Sequence, residues 1–180
     1  MEHVQNMRHC EQTSQRSAHE DRVRAMMAAF GQHVPESPEI PDLQTRKLRV
    51  RLCLEEVLEL AAGYGLAVVL AVSGPAKSPD DEAEFLWESN LNIDDLQLEE
   101  TGNPPDLVKI IDGHGDLSVV NVGGAAACGV DLEPVLELID ANNMEKRAGG
   151  YVDMHGKFVK PAGHRPPEIC EELLRQGWAG

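Results

Sequence analysis

The spacing of apolar residues predicts two helices in the N-terminal part of the chain. Between Glu20 and Phe30 the apolar side chains recur at helical spacing, and the pattern stops at Gly31. A longer helical pattern runs from Leu43 to about Ala71 and is interrupted only by Gly63 and Gly65. The stretch VPESPEIPD between them is predicted to be a loop, because its prolines remove backbone donors.

The segment from Asp106 to Cys128 permits two interpretations. LSVVNV can be a buried strand that leads into GGAAACG as a nucleotide-binding loop, although neither GxGxxG nor a final Gly-Lys-Ser/Thr is present. As a helix, the segment ends with Gly129 in the left-handed conformation, and Asp131 caps a further helix that runs to about Lys146. We adopt the helical interpretation.

The C-terminal part of the chain predicts a small hairpin and a last helix. YVDMHGKFVKP places HG at a turn between short apolar segments, and PPEICEELLRQ begins with the prolines that favour a helix start. The fold class expected is therefore all-α, an antiparallel helical bundle around small residues with a small C-terminal β-hairpin.

The length of the chain indicates one domain. With 180 residues, we expect a flexible N-terminal segment at residues 1–19 and a single helical domain at residues 20–180. Residues 73–105 form an acidic insertion within it, since Asp80 to Asp106 contains ten acids and no Lys or Arg. A solvated excursion with a helical turn at AEFLWES is the first interpretation, and a lid or a dimer arm is the alternative.

The charge and the cysteines narrow the class of protein. A net charge of -15 argues against binding to nucleic acid or to an anionic membrane, because both need a positive surface. No apolar run has the length of a membrane span, and the first residues lack the apolar stretch of a secretion signal. We expect a cytoplasmic protein with reduced cysteines, since Cys10, Cys53, Cys128 and Cys170 show no CxxC spacing.

Two acidic motifs carry the candidate chemistry. LCLEEVLEL contains Glu55, Glu56 and Glu59 on adjoining turns, and IIDGHGDLSVV contains Asp112 and Asp116 at i and i+4. If the two helices pack antiparallel, the five carboxylates converge. Two like charges about 4 Å apart repel by roughly 1 kcal/mol in water and roughly 4 kcal/mol near a protein surface. Either some of them are protonated or a cation lies between them.

The donor type of these motifs favours Mg²⁺, with Mn²⁺ as the alternative. Both ions prefer hard oxygen ligands. A di-iron bundle would need Glu-x-x-His on its helices, and no histidine of the sequence has Glu three residues before it. The opposing interpretation of EExxE is a solvated helix face paired to Arg51 or Lys47.

Glycines in the second motif also need an explanation. Gly113, Gly115, Gly123 and Gly124 would each cost a helix about 1 kcal/mol relative to alanine. We expect a neighbouring helix or a ligand to approach this backbone closely. His114, between the two aspartates, is expected to be a surface neighbour of the site and not a ligand.

In their order, these motifs resemble a known family. EExxE, DGHGD, the glycine-rich helix, GVDLEPV and NNMEK are similar to the all-α NTP pyrophosphatase superfamily, in its MazG-like and phosphoribosyl-ATP pyrophosphohydrolase-like branch. The similarity extends from about Val23 to Ile169. AFGQHVPESP and GKFVKPAGHRPPEI also resemble the bacterial and phage members of that branch.

The resemblance implies a fold, a cofactor and a reaction. It implies a bundle completed by homodimerisation and a Mg²⁺-dependent hydrolase that splits a nucleoside or deoxynucleoside triphosphate into monophosphate and pyrophosphate. A dimer is expected, and pairing of dimers into a tetramer is left open by the sequence. By this analogy the metal ligands are the carboxylates of Glu55, Glu56, Glu59, Asp112 and Asp116. Many relatives have glutamate where this chain has Asp112, whose side chain is one methylene shorter.

The resemblance and the charge pattern together indicate where the substrate binds. NNMEK places Asn143 and Lys146 at positions that contact substrate in the family. The segment from Lys146 to Arg165 carries a local charge of +4 in an acidic chain, and it contributes Lys157 and Lys160 as further phosphate-binding candidates. The opposing interpretation is a basic surface strand that only offsets the acidic insertion.

The hypothesis for the reaction gives Glu56 or Glu59 the catalytic role of orienting or deprotonating the attacking water, beside bound Mg²⁺. Two rival functions use the same sequence features. One is a phosphoribosyl-ATP pyrophosphohydrolase. The other is a non-catalytic module that binds nucleotides or dimerises without turnover.

Overall fold

The fold was derived from a computed structural model, which describes residues 16–70, 96–154 and 158–180. The described residues are mainly helical, and this confirms the predicted helical character. The helices are α1 (Ala18–Ala29), α2 (Leu43–Gly63), α3 (Leu107–Ala127), α4 (Leu132–Glu145) and α5 (Ile169–Arg175). The strands are β1 (Leu66–Leu70), β2 (Leu96–Glu100), β3 (Tyr151–Val152) and β4 (Phe158–Val159).

The described residues fall into two compact units. The central unit comprises Lys47–Val120, and the terminal unit comprises the described residues up to Arg46 together with Asn121–Gly180. In the terminal unit the buried apolar side chains come from α1, α3 and α4. They are Val23, Met27, Val122, Ala126, Ala127 and Val135.

A capping box begins α1, two residues earlier than the predicted start. Ser17 N donates to Glu20 Oε2 at 2.8 Å, and Glu20 N donates to Ser17 Oγ at 3.3 Å. Both interactions satisfy donors that a helix start leaves unpaired. Ala18 and His19, which the sequence assigns to a flexible segment, are therefore helical; residues 1–15 lie outside the described part of the chain.

The start of α4 differs from the prediction in its cap. Asp131 occupies the N-cap position, but its side chain forms no capping hydrogen bond. Its Oδ1 instead accepts from Arg16 Nη1 at 2.9 Å and from Arg24 Nη2 at 3.2 Å. Leu132 N donates to Oε1 of Glu20, which is only 3% exposed. The buried Glu20 thus caps α4 from α1, because the arginines engage the expected capping carboxylate.

The end of α3 agrees with the helical interpretation of the segment. Gly129 has φ +72°, the left-handed conformation predicted for it. A Cβ at this position would lie 2.1 Å from the carbonyl oxygen of Ser37, so no larger residue fits there. Glu39 N donates to Cys128 O at 2.9 Å, and the proline-rich loop is thereby fixed to the end of α3.

The prediction that α2 continues to Ala71 is wrong. The helix ends at Gly63, and Gly65 has φ +75° with its Cβ position 2.5 Å from Asn103 O. The chain then forms β1, whose β-branched valines favour a strand. A long run of apolar residues does not by itself distinguish helix from strand.

The partner of β1 lies in the predicted acidic insertion. β2 pairs with β1 antiparallel, with Leu66 opposite Glu100 and Leu70 opposite Leu96. Residues 96–100 are thus part of a two-stranded sheet, and all five of them are exposed. AEFLWES lies outside the described residues, as do the alternatives of a lid or a dimer arm.

Two glycines allow α2 and α3 to approach each other in the central unit. A Cβ at Gly63 would lie 3.1 Å from Ile110 N, and a Cβ at Gly113 would lie 3.2 Å from Leu60 Cα. As α2 is followed backward from Gly63 to Leu60, the contact on α3 moves forward by three residues. These segments are therefore antiparallel and in backbone contact, which explains Gly113. At Gly115 and Gly124, by contrast, no described residue outside the backbone of the same helix lies within 4 Å of the corresponding position.

The predicted C-terminal elements are present. β3 and β4 pair antiparallel with Tyr151 opposite Val159 and Val152 opposite Phe158. The HG turn lies outside the described residues. α5 follows the two prolines, as the sequence predicts.

None of the described helices is by itself both long enough and apolar enough to span a membrane. α3 and α4 meet both requirements only when they are joined, and this pair is bent by 113° at its break.

The close approach at Gly113 predicts a difference between two glycines of one motif. Gly113→Val should destabilise the protein by about 1–3 kcal/mol, because the new side chain must displace Leu60. Gly115→Val is the matched control and should be near neutral, since nothing lies near its Cβ position. Thermal and urea unfolding of both variants measure the difference, and equal stabilities would contradict the contact.

Candidate acidic site

The five predicted carboxylates lie on the α2 and α3 segments that are in contact. Glu55, Glu56 and Glu59 occupy the last turns of α2 before Gly63, and Asp112 and Asp116 flank Gly113 on α3. The antiparallel contact of Leu60 with Gly113 places the two motifs side by side. The two acidic motifs thus lie on adjoining helix segments of the central unit, and the convergence of all five carboxylates remains a prediction.

Glu56 has the most perturbed environment of these acids. It is half-buried, whereas the other four are exposed. Burial raises the pKa of the Glu56 carboxyl, and the negative charges of Asp116, Glu59, Glu55 and Asp112, in that order, raise it further. Acids on both α2 and α3 thus contribute to the environment of Glu56.

An open cavity of about 340 Å³ lies along this contact. Its volume is in the range of small-molecule sites. Glu59 and Asp116 line the same cavity, as do the small residues that keep it open. The full lining is Glu59, Ala62, Gly63, Lys109, Asp112, Gly113 and Asp116.

The chemistry of the donors fits Mg²⁺ or Mn²⁺, since all of them are carboxylate oxygens. As the side chains stand, no three of the described His, Cys, Asp or Glu residues form a group that could hold a metal ion. Four of the five acids are exposed, so metal binding would require rotation of these side chains. The prediction of a shared cation remains a prediction.

The opposing interpretation of EExxE is borne out for one residue. Arg51 Nε donates to Glu55 Oε1 at 3.1 Å in an exposed i,i+4 ion pair. Exposed pairs of this kind contribute about 0.3–0.5 kcal/mol, so a metal ion could displace the arginine at little cost. Glu55 is therefore the ligand candidate with a competing partner.

His114 lies on the surface beside the site and contacts an aromatic ring. Its Nε2 is 3.2 Å from the hydroxyl oxygen of Tyr64, and the two rings meet edge to face with centroids 6.2 Å apart. This contact links the middle of DGHGD to the turn after α2. The sequence gives no signal for the pairing, because the two residues are distant in the chain.

The predicted substrate-binding residues belong to the terminal unit. On α4, Asn143 Oδ1 accepts a short hydrogen bond from Nζ of Lys146, the residue that follows the helix. Lys160 is exposed after β4, and Lys157 lies outside the described residues. That these groups contact phosphates remains a prediction.

The neighbouring Asn142 has a structural role that the sequence analysis missed. Its Nδ2 donates to Arg165 O at 2.8 Å, and its Oδ1 is 3.0 Å from His164 Nε2. Both contacts fix the GHRPP segment to α4. Of the two asparagines in NNMEK, Asn142 thus stabilises the fold, and Asn143 contacts Lys146.

Comparisons with known proteins add no assignment to this geometry. No protein-family model and no curated protein matches the chain. The resemblance to the all-α NTP pyrophosphatases rests on the motifs themselves and remains a prediction.

The repulsion at Glu56 predicts a stability change of defined sign. Because its pKa is raised in the folded state, the metal-free protein loses stability as the pH rises through the range in which Glu56 ionises. Glu56→Gln should therefore raise the melting temperature at neutral pH by about 2 °C. Added Mn²⁺ should stabilise the wild type more than the variant.

Glu137→Gln provides the matched control, since Glu137 is exposed on α4 and the change removes the same charge. Differential scanning calorimetry with and without Mn²⁺ measures both effects. An unchanged or lowered melting temperature for metal-free Glu56→Gln would show that burial and the neighbouring acids do not disfavour the ionised Glu56 carboxyl.

Proposed function

We propose that the protein is a Mg²⁺-dependent nucleoside triphosphate pyrophosphohydrolase, which converts a nucleoside or deoxynucleoside triphosphate and water into the monophosphate and pyrophosphate. The observation that carries the proposal is the contact of α2 with α3, which places the two acidic motifs side by side and leaves a cavity lined by Glu59, Asp112 and Asp116. A cavity with a few polar groups is typical of a small-molecule site, and the raised pKa of the neighbouring Glu56 adds support. The resemblance of the ordered motifs supports the same reaction.

The carboxylates have two roles in the proposed mechanism. Glu55, Glu56, Glu59, Asp112 and Asp116 are the residues that would hold the cation. When bound, Mg²⁺ neutralises phosphate charge and makes water a better nucleophile at neutral pH. Glu56 or Glu59 orients the water and accepts its proton as the oxygen attacks the α-phosphorus. The bond to the bridging oxygen then breaks, and pyrophosphate leaves with the electron pair.

Glu56 suits the role of base better than its neighbours. Its raised pKa makes the carboxylate a stronger proton acceptor than an ordinary glutamate. Its half-buried position also restricts the access of bulk water. Asn143, Lys146, Lys157 and Lys160 are proposed to contact the triphosphate.

A second copy of the chain is the proposed partner. On α2, Val50, Leu54, Val57 and Leu58 form one apolar stripe that is 43–62% exposed. At 100° per residue this stripe lies opposite the glutamates. Among the described residues of the central unit, Ile110 is the buried hydrophobic side chain, so the unit has little apolar core of its own. Pairing of the stripes between two copies would supply one.

The cytoplasm is the proposed compartment. Among the described cysteines, Cys53, Cys128 and Cys170 are not joined in disulfides. Reduced cysteines are the normal state in a reducing compartment.

The proposed reaction predicts a specific set of products. Wild-type protein with Mg²⁺ and a panel of nucleoside triphosphates should release monophosphate and pyrophosphate, separated by ion-exchange chromatography. Glu56→Gln should lower kcat by at least about 100-fold, since it removes a metal ligand and base. Glu137→Gln should retain full activity, because it carries the same change on an exposed turn of α4.

Other product patterns distinguish the rival functions. Release of diphosphate and orthophosphate would refute the proposed bond cleavage. Turnover of phosphoribosyl-ATP alone would assign the site to that substrate. Metal-dependent nucleotide binding without products would indicate a non-catalytic module.

The apolar stripe predicts the effect of a charge on assembly. Val50→Glu should convert the dimer to monomers, because the carboxylate would be buried in the interface without a partner. Leu174→Glu is the control, since Leu174 is similarly exposed at 53% but lies on α5. Sedimentation velocity distinguishes the states, and a Val50→Glu dimer would exclude the stripe as the interface.

A further inference from the structure

Lys109 is a basic residue in an otherwise acidic cavity. It lines the cavity of the central unit together with Glu59, Asp112 and Asp116, and among the described lining residues it is the cation. It stands one turn before Asp112 and two turns before Asp116 on α3, so that these side chains share one helix face. The lysine therefore lies at one end of the row of carboxylates.

The main chain at Lys109 is held in place by α2. A Cβ at Gly63 would lie 3.3 Å from the Lys109 Cβ and 3.2 Å from its carbonyl carbon. The side chain itself is exposed. Of the ion pairs formed between described residues, none includes its ammonium group. The main chain and Cβ of Lys109 are thus held against α2, and its exposed ammonium group is available to a ligand.

The charges of the site leave a role for such a cation. The five carboxylates and a triphosphate are all negative. Cations held by the carboxylates would neutralise chiefly the phosphates near them. One helical turn is about 5.4 Å, so the lysine reaches the cavity beyond the aspartates. A lysine ammonium is a compact point charge with three donors, which suits phosphate oxygens.

On the basis of the proposed function, we propose that Lys109 binds the phosphates that leave as pyrophosphate. When the bond between the α-phosphorus and the bridging oxygen breaks, the electron pair remains on the pyrophosphate oxygen. The ammonium keeps its proton and stabilises that negative charge. This arrangement directs the α-phosphate to the carboxylate end of the cavity and the β- and γ-phosphates to the Lys109 end.

The test is binding of inorganic pyrophosphate in the presence of Mn²⁺, measured by isothermal titration calorimetry on the full chain. Lys109→Gln should weaken pyrophosphate binding by about tenfold or more, as expected for loss of a charged hydrogen bond. Binding of nucleoside monophosphate should be unchanged. Lys109→Arg should restore part of the pyrophosphate affinity, because it keeps the charge.

Lys47→Gln is the matched control, since Lys47 is an exposed lysine on α2 and loses the same charge. Equal pyrophosphate affinity in Lys109→Gln and Lys47→Gln would overturn the assignment, and so would an equal loss of monophosphate binding. Melting temperatures identify any variant that fails to fold, and Lys109→Met then repeats the measurement. Absence of triphosphate hydrolysis by the wild type would refute the proposed function separately, because the binding comparison does not depend on turnover.

Discussion

The backbone contact between α2 and α3 is the constraint on which the acidic site depends. Gly63 and Gly113 leave no side chain between the helices, and any Cβ would meet main-chain atoms at 3.1–3.2 Å. The contact fixes the register, so that Glu56 comes under the influence of Asp112 and Asp116. Glycine is unfavourable within a helix. At these two positions, however, the missing side chain lets the acidic motifs of α2 and α3 lie side by side.

Such an arrangement is costly to the isolated chain. Half-burial of Glu56 disfavours its ionised form, and the negative charges of the neighbouring acids add to that effect. Only a ligand of opposite charge converts the cost into binding energy, because its attraction to the carboxylates grows with the number that converge. Glu59, Asp112 and Asp116 are exposed and can rotate toward such a ligand, whereas Glu55 would first have to leave its ion pair with Arg51.

The helical elements could be predicted because their signals are local. Gly129 fixes the end of α3 through its own conformation, and a regular apolar spacing marks α1 and α4. The end of α2 could not be predicted, since it depends on Asn103 approaching Gly65 from a distant segment. The prediction that Asp131 caps α4 failed for the same kind of reason. Arg16 and Arg24 both donate to Asp131, and the sequence does not reveal which acid these arginines will bind.

The acidic motifs were predictable as a set because their helical spacing determines which side chains share a face. The role proposed for Lys109 could not be predicted from the sequence, since a single lysine at i−3 from an aspartate usually indicates a surface ion pair. Its position becomes informative only when Gly63 is found against its main chain and the cavity is found to continue past Asp112. On α2 the carboxylates and the exposed apolar stripe occupy opposite sides. The proposed ligand and the proposed second copy of the chain would therefore contact different sides of this helix.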